Sequence, residues 1–330
     1  MGSCATASAF GWDFQCNAAI IFMLENIDFI DSVRVEGKTE DIEMICNDGK
    51  KIYGQAKSIV KYDDFENVLK SLNKSLKTLN EASKNIDAKK LIYVTNTPNP
   101  FKKVSTMGIF YGRSQLKVSD LPIECVDLID KYINKYKYKY IDKEKLEINV
   151  IPFHGDGANR YKIVKESIME FLYRLGVVGT GLSQKVMDIW QKDFFHNSSQ
   201  SDTSITIHKK DFIWTIIISA SENINRDLEL EEFDISEYEY IEEKYHEVID
   251  SKSEMFSFVN EVIVDYEDCK EFREREKTGK FIETYWDRYI SDFEDSGLED
   301  IVIEGIIKII LNRILRKRIM IKKVKNEVNI

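Results

Sequence analysis

Three short alternating runs, separated by turn residues, occupy residues 33–57 (VRVEGKTEDIEMICNDGKKIYGQAK) and constrain the fold more than any other stretch. The runs cover residues 33–36, 41–46 and 51–57. Gly37 breaks the first gap, and Asn47-Asp48-Gly49 breaks the second with residues that favour tight turns. This pattern predicts a three-stranded meander.

The register of the second hairpin decides which side chains meet. A two-residue Asp-Gly loop would pair residues whose numbers sum to 97, which would turn Asp41 away from Gln55 and Lys57. The apolar faces predict an even sum, 96 or 98, because a one-residue slip would expose one of them. An even sum needs a loop of odd length, with Gly49 or its neighbour in the left-handed region. The faces that must match are Ile42, Met44 and Cys46 on strand two, and Ile52, Gly54 and Ala56 on strand three.

The polar residues of the meander indicate phosphate chemistry. Gln55 and Lys57 are two residues apart, so on a strand they share a face at a spacing of roughly 7 Å. Glu36 and Asp41 add carboxylates close to them in the sequence. Carboxylate and amide oxygens suit Mg²⁺, and a lysine stabilises charge that develops on a phosphate. We therefore interpret this stretch as a nuclease site.

Four motifs extend this interpretation: FGWDFQ at 10–15, EG at 36–37, EDI at 40–42 and QAK at 55–57. Together they resemble the double-stranded-DNA endonuclease domain of anti-phage defence effectors, which belongs to the PD-(D/E)xK nuclease superfamily. That domain is best known in CBASS effectors and also occurs in the nuclease subunit of Lamassu systems. The similarity covers roughly residues 5–150.

The resemblance implies roles for individual residues. Asp41 would be the family's metal-binding aspartate, and Gln55 and Lys57 would be its (D/E/Q)xK pair. Glu36 and Gln15 match accessory positions, and Glu36 would be a further metal ligand among the catalytic residues. The metal would be Mg²⁺ or Mn²⁺, and the substrate double-stranded DNA.

The order of predicted elements agrees with this fold class. A helix at 10–27, the meander, a helix at 65–85 and a strand at 91–96 give the order αβββαβ, the restriction-endonuclease-like core. We therefore expect an α/β nuclease domain at 1–153, followed by a mostly α-helical regulatory or interaction domain at 154–330.

Two segments, 131–145 and 154–157, each have a functional and a purely structural interpretation. Residues 131–145 interleave tyrosine with lysine, so Lys135, Lys137 and Lys139 could contact DNA phosphates. The same pattern also fits an amphipathic helix or strand with its tyrosines inward and its lysines in water. The segment 154–157 (HGDG) could supply a metal ligand or could simply be a connecting loop.

Charge divides the C-terminal half into two blocks. Residues 221–304 carry 9 basic against 28 acidic side chains, a net of −19, whereas residues 305–330 carry 8 against 1, a net of +7. The acidic block would repel DNA and either faces a basic partner or forms a solvated surface. The last predicted helix, 298–322, has a wide apolar surface, which either lies in its own domain or docks onto another chain.

Composition limits the remaining possibilities. No apolar stretch approaches the length of a membrane span, and we expect no secretory signal because the N-terminus lacks a basic region followed by an apolar core. Five cysteines without metal-like spacing are typical of a reduced, cytoplasmic protein. The C-terminal half does not resemble the cyclic-nucleotide sensor of CBASS effectors. The Lamassu resemblance instead implies an SMC-like ATPase partner, an accessory subunit and a homo-oligomer when active.

Three alternatives stay open at this point. The chain could be a non-catalytic interaction subunit that retains a nuclease fold, which the acidic block and the apolar last helix favour. It could also be a CBASS-type nuclease or a stand-alone restriction-type enzyme. The intact Asp41, Gln55 and Lys57 set favours a catalytic protein.

Overall fold

The structure is a computed structural model that describes residues 2–84, 88–221, 235–273, 275–296 and 298–330. The chain divides into two compact units, residues 1–215 with Ile330, and residues 216–329. The first unit is an α/β unit with a seven-stranded mixed sheet, and the second is helical.

The first unit contains the following helices and strands, each group numbered in chain order. The helices are α1 (Gly2–Glu25), α2 (Val68–Ala82), α3 (Ile123–Tyr136), α4 (Lys162–Arg174) and α5 (Leu182–Ser199). The strands are β1 (Ile30–Val35), β2 (Ile42–Cys46), β3 (Lys51–Lys57), β4 (Ala88–Thr95), β5 (Ser114–Lys117), β6 (Leu146–Val150) and β7 (Ile207–His208). The order αβββαβ from α1 to β4 is thus the predicted one, although α1 begins at Gly2 rather than at residue 10.

The sheet has the strand order β5-β6-β4-β3-β2-β1-β7. β3 pairs in parallel with β4, and β4 in parallel with β6, whereas the other neighbours are antiparallel. The central position of β3 explains why its middle residues are buried on both faces. One face of β3 meets α1, since Gly54 lies beside the Phe22 ring, and Tyr53 on the other face packs against Leu72 and Leu76 of α2.

The β2–β3 hairpin has the predicted register. Ile42 pairs with Gly54 and Met44 with Ile52, so the paired residue numbers sum to 96. The loop is closed by a hydrogen bond of 2.8 Å from the Cys46 amide to the Lys50 carbonyl, and Gly49 has a φ of 78°. The even register and the odd-length loop are therefore confirmed.

The predicted boundary after residue 153 does not coincide with the division between the units, which falls at 215/216. Helices α4 and α5 pack against α1, and β7 pairs with β1. The buried Arg34 on β1 donates hydrogen bonds to the carbonyls of Gln200 (2.8 Å) and Ile205 (2.9 Å). Residues 154–215 therefore complete the sheet unit instead of opening a separate domain.

The second unit contains α7 (Ile235–Glu254), α8 (Phe256–Asp268), α9 (Lys277–Tyr285) and α10 (Asp300–Val328), and α6 (Lys209–Ser221) crosses the division. The long α10 packs against α7, α8 and α9 and buries its apolar stripe. Ile306, Ile310 and Ile314 have exposed fractions of 0–1%. This burial supports the interpretation of the last helix as core of its own unit.

The acidic block has basic partners within this same unit. Arg313 of α10 bonds to Glu242 and to Asp250 (2.8 Å), and Lys308 bonds to Glu283 (2.6 Å). This pairing within one chain differs from both interpretations of the acidic block, which were a surface that faces a basic partner and a solvated surface. Residues 222–234 of the block, with Phe233, lie outside the described residues. Within the part of the chain that the structure describes, no helix combines the length and the apolar character needed to cross a bilayer.

Candidate functional site

The ends of β2 and β3 bring Asp41, Gln55 and Lys57 together. The Asp41 carboxylate accepts a hydrogen bond from Gln55 Nε2, another from the Ala56 amide (2.9 Å) and a third from Lys57 Nζ (3.2 Å), all at Oδ2. The register that opposes Ile42 to Gly54 is what turns Asp41 to this face of β3. The side chains of Asp41 and Lys57 are 18% and 31% exposed, so the group is open to solvent on one side.

Thr78 of α2 belongs to this group, although no motif in the sequence indicated it. Its hydroxyl donates to Gln55 Oε1 at 2.6 Å, so both ends of the Gln55 amide are engaged. If the amide turned over, Oε1 would be free for a cation and Nε2 could donate to Thr78. A hydroxyl can donate or accept, so Thr78 suits both orientations.

Glu36 lies near Asp41, and Gln15 lies near Glu36. Glu36 has a φ of 53°, and its amide donates to the Asp41 carbonyl at 2.8 Å, which fixes the turn between β1 and β2. Burial and the charge of Asp41 raise the pKa of Glu36, while the Gln15 side chain and the charge of Lys57 oppose that rise. Positive φ in a non-glycine residue is typical of functional sites. Oε1 of Gln15 is buried and has no hydrogen-bond partner among the described residues.

Glu40 is a site residue to which our sequence analysis gave no role. It is 4% exposed, and neither carboxylate oxygen has a hydrogen-bond partner in the described part of the chain. The nearby Thr78 hydroxyl donates to Gln55 instead. Burial, followed by the charge of Asp41, raises the pKa of Glu40 to about 8. The signal in the sequence was the acid pair Glu40-Asp41, but nothing local indicated that both acids face inward.

The loop that carries Glu40 is held by Glu43 of β2. Oε1 of Glu43 accepts from the amides of Thr39 (2.7 Å) and Glu40 (3.3 Å), and Oε2 lies 3.3 Å from Lys51 Nζ. Burial alone would raise the pKa of Glu43, but these partners outweigh it and lower the pKa. Gly37 packs so closely on this side chain that a Cβ there would meet Glu43 Cγ and Cδ at 2.6 Å.

The predicted DNA-contacting lysines lie outside this group. Lys135 is in the last turn of α3, Lys137 ends the helix with a φ of 56°, and both are exposed, as is Lys139. The tyrosines between them are divided: Tyr138 is buried, with its hydroxyl 3.1 Å from Asn73 Oδ1 on α2, whereas Tyr136 is 45% exposed. No contact between described residues joins these lysines to Asp41, but α2 contacts both regions.

The His154 segment behaves as a connector. The His154 ring packs edge-on against Tyr62, with ring centroids 4.5 Å apart, and its Nδ1 lies 3.5 Å from Asn96 Nδ2. Asp156 pairs instead with Arg160 at 3.5 Å. The two side chains thus have separate partners, which favours the interpretation as a connecting loop.

The donor set around Asp41 fits a hard divalent cation. Among the described residues no group of three or more His, Cys, Asp or Glu side chains is already arranged as a metal site. However, Glu40 is buried with two oxygens that lack a hydrogen-bond partner, and the charge of Asp41 disfavours its ionised form. A buried carboxylate without partners is costly unless a cation or proton compensates it. All these donors are oxygens, which Mg²⁺ and Mn²⁺ accept.

Comparisons with known proteins add no assignment: no family model, curated protein or solved structure gives a significant match to this chain.

Proposed function

We propose that this protein is a metal-dependent endonuclease of the PD-(D/E)xK type that cleaves double-stranded DNA. The observation that carries the proposal is the convergence of Asp41, Gln55 and Lys57 at the ends of two paired strands. An acid, an amide and a lysine at hydrogen-bonding distance combine oxygen donors for a cation with a positive charge for a phosphate.

Each residue has a role in this proposal. Asp41 binds the cation, with Glu36 as a further ligand and Gln55 available once its amide oxygen turns outward. When bound, Mg²⁺ lowers the pKa of a coordinated water and neutralises phosphate charge. Lys57, 3.2 Å from Asp41, orients the attacking water and stabilises the negative charge of the phosphate in the transition state. Gln15 lies close enough to Glu36 to lower the pKa of its carboxyl and so favours the ionised form that binds a cation.

Contact with DNA is assigned to the exposed lysines in the last turn of α3 and directly after it. Lys135, Lys137 and Lys139 add positive charge to a surface on which Tyr136 and Tyr140 are each 45% exposed. Lysine attracts the phosphate backbone without reading sequence, and exposed tyrosine can stack on bases. The segment is held on α2, because the Tyr140 amide donates to Asn80 Oδ1 at 2.9 Å.

The biological setting rests on the resemblance alone. By that resemblance the protein acts in the cytoplasm as the effector nuclease of an anti-phage defence system of the Lamassu kind. An SMC-like ATPase and an accessory subunit would restrain it, and cleavage would come from a homo-oligomer. Co-purification with the products of neighbouring genes tests this part of the proposal.

A non-catalytic interaction subunit is the second candidate, and one observation favours it. The Asp41 Oδ2 atom already has three hydrogen-bond partners, an arrangement that would also stabilise a site that never binds metal. The two candidates differ in one measurable property, which is whether the isolated protein cuts DNA when a divalent cation is added.

The test is cleavage of supercoiled plasmid by the full chain. We expect cleavage with Mg²⁺ or Mn²⁺, none in EDTA, and binding without turnover for Ca²⁺. Asp41→Asn should abolish cleavage, whereas Asp127→Asn, the same change at an exposed position of α3, should not. Equal activity in EDTA, or full activity of Asp41→Asn, would contradict the proposal.

A further inference from the structure

The Glu40 carboxylate is the most unusual polar group of the first unit. Its exposed fraction is only 4%, and both of its oxygens lack a hydrogen-bond partner among the described residues. Buried polar groups in proteins are almost always satisfied, so an unsatisfied pair of oxygens calls for a partner that the chain itself does not supply.

The position of Glu40 is built into the loop. Gly37 donates to the Glu40 carbonyl at 3.0 Å, and Glu43 accepts from the amides of Thr39 and Glu40. These bonds close residues 37–40 into a turn in which the Glu40 side chain is buried. The geometry is held by a buried carboxylate and by a glycine with no room for a Cβ, so the orientation of Glu40 is fixed by its surroundings.

Two further unsatisfied oxygens border the same region. The hydroxyls of Tyr53 on β3 and Ser75 on α2 are buried without partners in the described chain. Tyr53 is within electrostatic reach of Glu40, and Ser75 lies one helical turn before Thr78. Hydroxyls in such a place suit the water molecules that Mg²⁺ retains in its coordination shell.

We propose that Glu40 is a direct ligand of the divalent cation that Asp41 binds. The inference rests on the proposed function, because the cation is the one which that function requires. Asp41 and Glu40 are adjacent in the chain, and the charge of Asp41 acts on the Glu40 carboxyl. A cation between them would offset the repulsion that an ionised Glu40 meets from Asp41, and it would give the Glu40 carboxylate a partner. The Gln55 amide, in contrast, is engaged at both ends.

The experiment measures Mn²⁺ binding to the metal-free full chain by electron paramagnetic resonance, without DNA. We expect Glu40→Gln to weaken Mn²⁺ affinity by about tenfold or more, because it removes a charged ligand and keeps the side-chain shape. Glu81→Gln, the same change at an exposed position of α2, should retain wild-type affinity. As a second readout, Mn²⁺ should raise the melting temperature of the wild type and of Glu81→Gln, but much less that of Glu40→Gln.

The outcomes separate this inference from the proposed function. Wild-type affinity in Glu40→Gln, or no Mn²⁺ binding by the wild type, would overturn the inference. If Mn²⁺ binding depends on Glu40 but the wild type cuts no DNA, the ligand assignment stands and the nuclease proposal fails. Melting of each variant in EDTA checks that the fold is retained without the metal.

Discussion

Gly37→Ala should damage the site through a single steric contact. The new Cβ would lie 2.6 Å from Glu43 Cγ and Cδ and 2.7 Å from Oε1, so the Glu43 side chain must move. That movement separates Oε1 from the Thr39 and Glu40 amides, now at 2.7 and 3.3 Å. The backbone conformation itself is no obstacle, because Gly37 does not have a positive φ.

The magnitude follows from what is lost. Leaving a buried amide without its acceptor costs about 1–3 kcal/mol, and overpacking costs a similar amount. We expect the free energy of unfolding of the first unit to fall by about 3 kcal/mol. For a unit of this size that corresponds to a decrease in melting temperature of about 6–12 °C.

Thermal melting by circular dichroism measures this effect, with two comparisons. Gly108→Ala is the matched control: no atom lies within 4 Å of its Cβ position, so a change within about 0.5 kcal/mol is expected. In a Glu43→Ala background the clashing atoms are absent, so adding Gly37→Ala should have little further effect. If Gly37→Ala melts like the wild type, or if its effect persists undiminished without the Glu43 side chain, the steric explanation is refuted.

Two further predictions concern charge and packing. The pKa of Glu40 is about 8 in the folded protein against an ordinary value of 4.5, so between these pH values the folded state keeps a proton that the unfolded chain has lost. The free energy of unfolding of the metal-free protein should therefore fall with rising pH by up to about 1.4 kcal/mol per pH unit, and Glu40→Gln should remove this contribution. Urea titrations at pH 5, 6 and 7.5 measure this dependence, and the same pH dependence in Glu40→Gln as in the wild type would contradict the prediction. In the second unit, Ile310→Asp places a charge at a fully buried position of α10 and should unfold that unit, whereas Ile319→Asp, at a position 72% exposed, should not. Equal solubility and helix content of the two variants would show that α10 does not form the core of its unit.

The arrangement of the β2–β3 hairpin could be predicted because two independent constraints agree. The apolar faces of the strands required an even register, and Asn47-Asp48-Gly49 supplied the three-residue loop that such a register needs. The proximity of Asp41, Gln55 and Lys57 follows directly from that register. Local sequence was sufficient here, because the strands are adjacent in the chain.

Other features depend on distant residues, and the sequence did not reveal them. Glu40 looks like an ordinary loop acid, and its burial depends on the hydrogen bonds that Glu43 makes to the loop. β7 is only two residues long, and the segment before it is held by Arg34, which donates to carbonyls 166 and 171 positions later. The charges of the acidic block are partly paired with α10, across 63 residues in the case of Asp250 and Arg313.

The most direct test of the central claim is the single-turnover cleavage rate of Lys57→Ala at saturating Mg²⁺. Lys57 supplies no oxygen ligand, so this variant should bind Mn²⁺ as the wild type does and cut plasmid at least about a hundredfold more slowly. Lys162→Ala, with the same loss of charge at a side chain 73% exposed, should cut at the wild-type rate. Cleavage by Lys57→Ala at the wild-type rate would contradict the assignment of this site.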